Sequence, residues 1–238
     1  MNQTKYAEIC RNIRALESQI RKLSCRAHTP PKLLAVSKNQ PIEKIRRAYD
    51  AGLRDFGESY VKEACEKIPS LPKDIRWHFI GVIQSNKLKP IAENFHFVHT
   101  LSSLKHAEKL SRHAALLNKK IAVCLQINVD RDRRKSGIDV DNHQAIEVLS
   151  GFVLKSASLL ELKGLMCILA HTKDHQKAYA SFCRLSALKA QLEKKLQFPL
   201  DTLSMGMSGD LAAAVSAGST IVRIGTGIFG AQASQSEH

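Results

Sequence analysis

The chain has 238 residues, of which 44% are hydrophobic, 24% charged and 5% aromatic, a composition that suits a globular domain and excludes a disordered or fibrous protein. No segment reaches the roughly 18 apolar residues that a membrane span requires, and the charged N-terminus lacks the apolar core of a secretory signal. The formal net charge of +14 favours acidic partners, but the basic residues are scattered without the interleaved aromatic residues of a nucleic-acid-binding surface. We therefore expect a single cytoplasmic domain, residues 1–238, that binds neither nucleic acid nor membrane.

The N-terminal segment is predicted to be a helix over residues 4–25. Its apolar side chains recur every three or four positions and form one stripe: Tyr6, Ile9, Ile13, Leu16, Ile20 and Leu23. After Pro30 and Pro31 the pattern changes to short apolar runs that alternate with amphipathic stretches. This change indicates a second kind of architecture for the rest of the chain.

Eight apolar runs predict eight strands. They are KLLAVSK, RDFGES, RWHFIG, HFVHTL, IAVCLQIN, LKGLMCIL, DTLSMGMS and TIVRIGTGIF. Helices are predicted between them, over residues 41–51, 59–68, 85–93, 102–118, 139–156, 174–196 and 209–217. Strands that alternate with helices of this length indicate βαβ units and a parallel sheet. Eight such units favour an α/β fold, a single (β/α)8 TIM barrel, to which the N-terminal helix is an addition.

A lysine stands at the end of the first predicted strand, where barrels carry their functional groups. The strand period of two places Leu34, Val36 and Lys38 on one face, so we expect Lys38 to end the strand and point inward. A lysine at a barrel mouth is either a solvated end residue or a desolvated amine that forms a Schiff base with an aldehyde. Lys38 alone does not decide between these two interpretations.

The ends of the seventh and eighth predicted strands, SMGMSGD and RIGTGIFG, lie where barrels commonly bind phosphate. Glycine lets the backbone approach an anion, and hydroxyl and N–H groups supply donors. Ser208, Gly209, Gly225 and Thr226 are therefore predicted to bind phosphate, although a tight turn is the alternative for any single glycine. Arg223 shares a strand face with Gly225, and a buried guanidinium there needs an acceptor. If that acceptor is a pyridine nitrogen, the nitrogen stays unprotonated and carbanion chemistry is handicapped.

These residues belong to a series of motifs that resembles a known family. The strings LLAVSK, FGESYVKE, WHFIGVIQSNK, KSGI, LKGLMCI and LSMGMSGDLAAAVSAGSTIVRIGTGIFG, in order over residues 33–231, are similar to the pyridoxal phosphate homeostasis family, also described as the proline synthase co-transcribed protein family. The resemblance implies a barrel like the N-terminal domain of alanine racemase, with pyridoxal 5′-phosphate (PLP) held as a Schiff base on Lys38. It also implies phosphate contacts from Ser208, Gly225 and Thr226, and an Arg223 that faces the ring nitrogen.

The sequence departs from the usual family motifs near this site. Ser59 stands where an asparagine is usual, and this shorter side chain would loosen contacts with the ring. Lys62 adds a charge, Val82 replaces a proline, and Gly209 replaces an acid beside the phosphate. Met207, in the SMGMS motif, completes the predicted PLP contacts together with Ser59.

The resemblance implies a role without established turnover: a carrier or regulator of PLP in vitamin B6 homeostasis, with no catalytic residue. The alternative is a PLP-dependent racemase or decarboxylase of amino acids. Racemases of this barrel type use an additional β domain that supplies a second base and forms the dimer, and the chain ends soon after the eighth strand. We therefore expect a non-catalytic monomer. A nucleic-acid-binding protein, suggested by charge alone, is a third hypothesis.

Other polar residues receive no functional role. Four histidines, His96, His99, His106 and His113, have spacings that match no compact ligand set, so we predict surface or packing positions and no metal site. Six scattered cysteines lack a C-x-x-C pair and predict neither zinc nor disulfides. Glu58 and Asp210 are an acid and base candidate only if they face one another. Ser85 is a candidate cap for the helix that follows it.

Overall fold

The fold is seen in a computed structural model that describes residues 3–24, 29–132, 134–170, 172 and 174–230, with side chains from residue 7 onward. Helix α1, Gln3–Leu23, confirms the predicted N-terminal helix. Its stripe is buried at Ile9, Ile13 and Ile20, while the side chain of Tyr6 and the whole of Cys25 lie outside the described residues.

Eight parallel strands close into a barrel, which confirms the predicted fold class. The strands in chain order are β1 Lys32–Val36, β2 Asp55–Glu58, β3 Arg76–Phe79, β4 Phe97–Leu101, β5 Ile121–Asn128, β6 Ile138–Asp139, β7 Leu160–Met166, β8 Thr202–Ser204 and β9 Ile221–Ile224. The ring runs from β1 through β4 to β5, then β7, β8 and β9, and β9 pairs with β1 to close it. The two-residue strand β6 pairs with the end of β5 and lies outside the ring.

Helices cover the outside of the barrel. They are α2 Ile42–Asp50, α3 Val61–Lys67, α4 Leu88–Asn94, α5 Leu104–Leu116, α6 His143–Lys155, α7 His175–Leu196, α8 Leu211–Ser216 and α9 Thr226–Phe229, and a single 3-10 turn, Ile68–Ser70, follows α3. Gly52 and Gly218 follow α2 and α8 with φ of 106° and 89°, the left-handed conformation that ends helices. No helix in the described ranges combines the length and apolar character needed to cross a membrane.

Alternate residues of β3 show how the two layers of the core are divided. Trp77 packs against Phe56, and Phe79 packs edge-on against Phe95 at 5.2 Å between ring centroids. Between them, His78 is buried and hydrogen-bonds to neighbouring strands. The strand period of two thus directs aromatic side chains toward the helices and a polar one into the barrel.

Several predicted boundaries are wrong for identifiable reasons. The last strand, β9, ends at Ile224, which lies opposite Ala35, the last residue of β1 that pairs with it. The residues that follow, GTGIF, are predicted as strand but begin helix α9. The helix predicted from residue 139 begins at His143, where the Asn142 side chain accepts a hydrogen bond from the Ala145 N–H and caps it.

Two expectations for single residues also need correction. Lys38 does not end β1, which stops at Val36, because the chain turns at Asn39 with φ of 56°. Ser85 does not cap α4, which begins at Leu88; its hydroxyl lies 3.1 Å from Nε2 of His106 instead.

Candidate functional site

A cavity of about 310 Å³ opens at the carboxyl ends of the barrel strands. Its volume is in the range of small-molecule sites, and its position is the one at which barrels carry their functional groups. All eight residues predicted from the sequence to contact a cofactor line it: Lys38, Ser59, Met207, Ser208, Gly209, Arg223, Gly225 and Thr226. Sequence reasoning missed the remaining wall, formed by Val36, Gln40, Ile80 and Ile168. Three of these four are apolar residues that carry no chemical signal of their own.

Lys38 lies half-buried in a loop that is fixed on both sides. The preceding Ser37 donates its hydroxyl to Oε1 of Glu58 at 2.6 Å, and the N–H of the following Asn39 donates to Oε1 of Glu63 at 2.6 Å. These bonds tie the loop after β1 to β2 and α3. The backbone that carries Lys38 is therefore held in place at the edge of the cavity.

The carboxyl of Glu58 is the centre of this support and is fully buried. Besides the Ser37 hydroxyl, Oε1 accepts from Nζ of Lys67 at 3.3 Å, whereas Oε2 has no hydrogen-bond partner among the described residues. Burial raises the pKa of Glu58 to about 7, although Lys67 and Ser37 act in the opposite direction. Near neutral pH the buried carboxyl is thus divided between its protonated and ionised forms.

Glu58 and Asp210, to which the sequence assigned no role, bind separate partners. Glu58 is held by Ser37 and Lys67, while Oδ1 of Asp210 accepts a hydrogen bond from the N–H of Met207 at 2.6 Å in the loop after β8. The carboxyl of Glu58 thus supports the loop after β1, and the carboxyl of Asp210 supports the loop after β8.

The loops after β8 and β9 bring the predicted phosphate-binding residues together. The hydroxyl oxygens of Ser208 and Thr226 lie 3.5 Å apart, and both side chains are exposed to solvent. A methyl group added at Gly209 would meet no atom within 4 Å, so the missing side chain leaves open space at the cavity. One added at Gly225 would lie 3.2 Å from the carbonyl oxygen of Val36, which explains a glycine where β9 passes close to β1.

Arg223 forms the inner wall of the cavity and is 4% exposed. Its Nη1 donates to Oγ of Ser204 and its Nη2 to the carbonyl oxygen of Cys167, both at 2.8 Å. Burial lowers the pKa of Arg223, but from so high a value that the guanidinium stays charged. A guanidinium has five N–H groups, so these two bonds leave donors for a ligand acceptor.

The histidines differ from one another in burial, and the described cysteines form no disulfide. His96 is exposed, whereas His99 is fully buried inside the barrel. Within the described part of the chain, no three His, Cys, Asp or Glu side chains are grouped so that they could hold a metal ion. The described cysteines, Cys10, Cys65, Cys124, Cys167 and Cys183, are free thiols.

Fold and cavity together define the class: a parallel (β/α)8 barrel with a lysine, an arginine and two hydroxyl side chains lining a cavity at the carboxyl ends of its strands. The sequence profile of the alanine racemase N-terminal domain family matches residues 12–233. A pyridoxal phosphate homeostasis protein of Vibrio alginolyticus is 42% identical over 236 residues, covering 95% of this chain and 98% of that protein. The chain belongs to the alanine racemase N-terminal domain family and, within it, to the pyridoxal phosphate homeostasis proteins, as the motifs predicted.

Solved structures agree with this assignment. PipY of Synechococcus elongatus PCC7942, determined with PLP bound, matches with a TM-score of 0.82 and 34% identity, covering 93% of this chain and 99% of that one. The same protein has also been determined without PLP. Alanine racemase from Streptomyces coelicolor A3(2) matches with a TM-score of 0.77 at 21% identity, covering 94% of this chain and 58% of the racemase. At that identity the racemase supports the fold alone.

Proposed function

We propose that this protein binds PLP in the cavity at the C-terminal face of the barrel and takes part in intracellular PLP homeostasis, with Lys38 as the covalent anchor. The observation that carries the proposal is that the eight residues selected from the sequence line one cavity. The names of the relatives at 42% and 34% identity support the same cofactor.

The residues fit the chemical groups of PLP. The hydroxyls of Ser208 and Thr226, beside the open space at Gly209, suit a phosphate. Arg223 offers N–H donors from the inner wall, which suits the pyridine nitrogen. When bound, PLP would supply an aldehyde, the group that a lysine amine can hold covalently as a Schiff base, and Lys38 would be the residue that holds it. The fixed loop at Ser37 and Asn39 orients Lys38 for this role.

We infer further that the protein stores or delivers PLP without turning over an amino acid. A charged Arg223 that donates to the pyridine nitrogen keeps a proton off that nitrogen, which weakens the ring as an electron sink. Glu58 and Asp210 bind separate partners, so they do not supply a facing acid and base. A cytoplasmic monomer without nucleic-acid or membrane partners is part of the same proposal, and a PLP-dependent racemase or decarboxylase is its rival.

A spectroscopic titration tests the proposal. Adding PLP to the PLP-free protein should produce a new visible absorption band, which Lys38→Ala should lack. Lys62→Ala is the matched control, because Lys62 is an exposed lysine that lines a neighbouring groove and not the proposed cavity. A band that survives in Lys38→Ala, or that depends on Lys62, would contradict the anchor. Exchange of the α-proton of any amino acid in D₂O, lost in Lys38→Ala, would favour the rival enzyme.

A further inference from the structure

A chain of hydrogen bonds crosses the interior of the barrel from the cavity to the opposite face. Nη1 of Arg223 in β9 donates to Oγ of Ser204 in β8 at 2.8 Å, and that oxygen lies 2.8 Å from Nδ1 of His99 in β4. Nε2 of His99 lies 2.9 Å from Nδ1 of His78 in β3, and Nε2 of His78 lies 2.9 Å from Oδ1 of Asp55. Asp55 is the first residue of β2. We call these five residues the barrel relay.

The Asp55 end of the barrel relay sets the direction of its hydrogen bonds when both histidines are neutral. The Asp55 carboxylate can only accept, so Nε2 of His78 carries a proton. A neutral His78 then accepts at Nδ1, which requires a proton on Nε2 of His99 and leaves Nδ1 of His99 to accept from the Ser204 hydroxyl. The lone pairs of Ser204 remain for Arg223, which can only donate. With neutral histidines, every hydrogen bond in the relay has one donor and one acceptor when both rings are protonated at Nε2, and the Ser204 hydroxyl then donates to His99 while accepting from Arg223.

The surroundings favour these neutral forms. His78 is 4% exposed and His99 is fully buried. Burial lowers the pKa of His78 more than its bond to Asp55 raises it, and burial lowers the pKa of His99 well below its usual value, with the Arg223 charge acting in the same direction. The ring of Phe97 packs against both imidazoles, with centroids at 5.3 Å from His78 and 4.3 Å from His99.

The outer end of the relay stays ionised. Oδ2 of Asp55 lies 3.7 Å from Nζ of Lys32, and Oδ1 lies 3.3 Å from Nε of Arg76. Burial alone would raise the pKa of Asp55, but the hydrogen bond from His78 and the two cations bring it below its usual value. These residues line a cleft of about 490 Å³ at the N-terminal face of the barrel. Asp55, the acceptor that sets the direction of the relay, is thus held in its ionised form by Lys32 and Arg76 on the face opposite the cavity.

We propose that His99 is a positioning residue for Arg223: through Ser204 it holds the guanidinium toward the cofactor cavity, and Asp55 sets the direction of this hydrogen bonding from the opposite face. The inference rests on the proposed function, in which Arg223 faces the ring nitrogen of PLP. If Ser204 is no longer oriented by His99, the Cys167 carbonyl is the one hydrogen-bond partner of the Arg223 guanidinium that stays fixed among the described residues. The contact to the ring nitrogen then weakens, whereas the contacts to the phosphate and to Lys38 do not.

The first test does not depend on PLP. In PLP-free protein labelled with ¹⁵N in its histidine rings, two histidines should be protonated at Nε2 and unprotonated at Nδ1 around neutral pH. His99→Phe should remove one of these signals and alter the other, which assigns them. A proton on Nδ1 of either residue, or a doubly protonated ring, would overturn the relay even if PLP binding were established. Conversely, a protein that does not bind PLP would fail the proposed function but leave this measurement valid.

The second test separates positioning from general damage. We expect His99→Phe to bind PLP about tenfold more weakly, the size of one hydrogen bond from a charged donor. Affinity for a PLP analogue with C–H in place of the ring nitrogen should not change. His96→Phe is the matched control, since His96 precedes the same strand and lies outside the relay. An equal loss for PLP and its analogue, or no loss for either ligand, would overturn the proposal.

Two further variants keep the test decisive if His99→Phe does not fold. Ser204→Ala removes the acceptor of Arg223 directly and should show the same selective loss for PLP. His99→Gln supplies one acceptor and one donor on a single side chain and should recover part of the difference between PLP and its analogue. Failure of Ser204→Ala to discriminate between the two ligands would overturn the role of the relay.

Discussion

Replacing Glu58 by glutamine should make the protein increasingly stable relative to the wild type as the pH rises. The Glu58 carboxyl is fully buried, and its pKa is raised from its usual 4.5 to about 7. Because the folded pKa lies above the unfolded one, the folded protein binds the proton more tightly. The stability from protonated Glu58 is therefore fully present below pH 4.5 and is lost as the pH rises through about 7.

The magnitude follows from the size of the rise. At about 1.4 kcal/mol per pH unit, a pKa raised from 4.5 to about 7 corresponds to roughly 3 kcal/mol of unfolding free energy. Glu58→Gln stays neutral at every pH, so the pH-dependent part of its gain over the wild type should rise from about 1 kcal/mol near pH 5 to about 3 kcal/mol near pH 8. Any fixed cost of the amide, such as its weaker bond to Lys67, is the same at both pH values and leaves this increase unchanged.

Urea unfolding of the two PLP-free proteins at both pH values measures the difference directly. Glu66→Gln is the control, because Glu66 is an exposed acid on α3, the helix that carries Lys67. A difference between Glu58→Gln and wild type that stays constant with pH, or that shrinks toward high pH, would refute a buried carboxyl with a raised pKa.

Three other substitutions and one control test the packing beside the cavity and the phosphate contacts. Gly81→Ala places a methyl group 2.0 Å from the carbonyl oxygen of Ser59, so the backbone must move, and we expect a loss of about 3 kcal/mol in urea unfolding. Gly209→Ala is its control, because a methyl group there meets no atom within 4 Å and should leave the unfolding free energy unchanged; equal losses would contradict the packing. Ser208→Ala and Thr226→Ala should each weaken PLP binding about tenfold in equilibrium dialysis, with little effect on pyridoxal, which has no phosphate. Equal effects on both ligands would place the phosphate elsewhere.

The barrel and most of its cavity could be predicted because their signals are local. Alternation of apolar runs with amphipathic stretches marks the strands and helices, and a barrel brings strand ends together whatever their separation in the chain. Lys38 and Arg223 can therefore be assigned to one site from the sequence alone. The short strand β6 and the short helix α9 escape such a prediction because pieces of two and four residues show no period.

The polar interior could not be predicted, because its contacts join distant parts of the sequence. The spacing of His99 predicts only a surface or packing position, yet this residue lies in a hydrogen-bonded chain with Ser204, which is 105 residues away. Nothing in the sequence around Glu58 indicates its raised pKa, since that depends on complete burial beside Lys67. Residue type and spacing identify which groups can titrate or bond, but only packing determines their partners.

The central claim is that Lys38 carries PLP, and it is tested most directly by chemical trapping. Borohydride reduces a C=N bond to a stable C–N bond, so treatment of the PLP-loaded protein should fix one pyridoxyl group per chain. Peptide mass spectrometry should place that group on Lys38 in the segment AVSKNQP. A label on another lysine, or a protein that takes up PLP and stays unlabelled after reduction, would contradict the account.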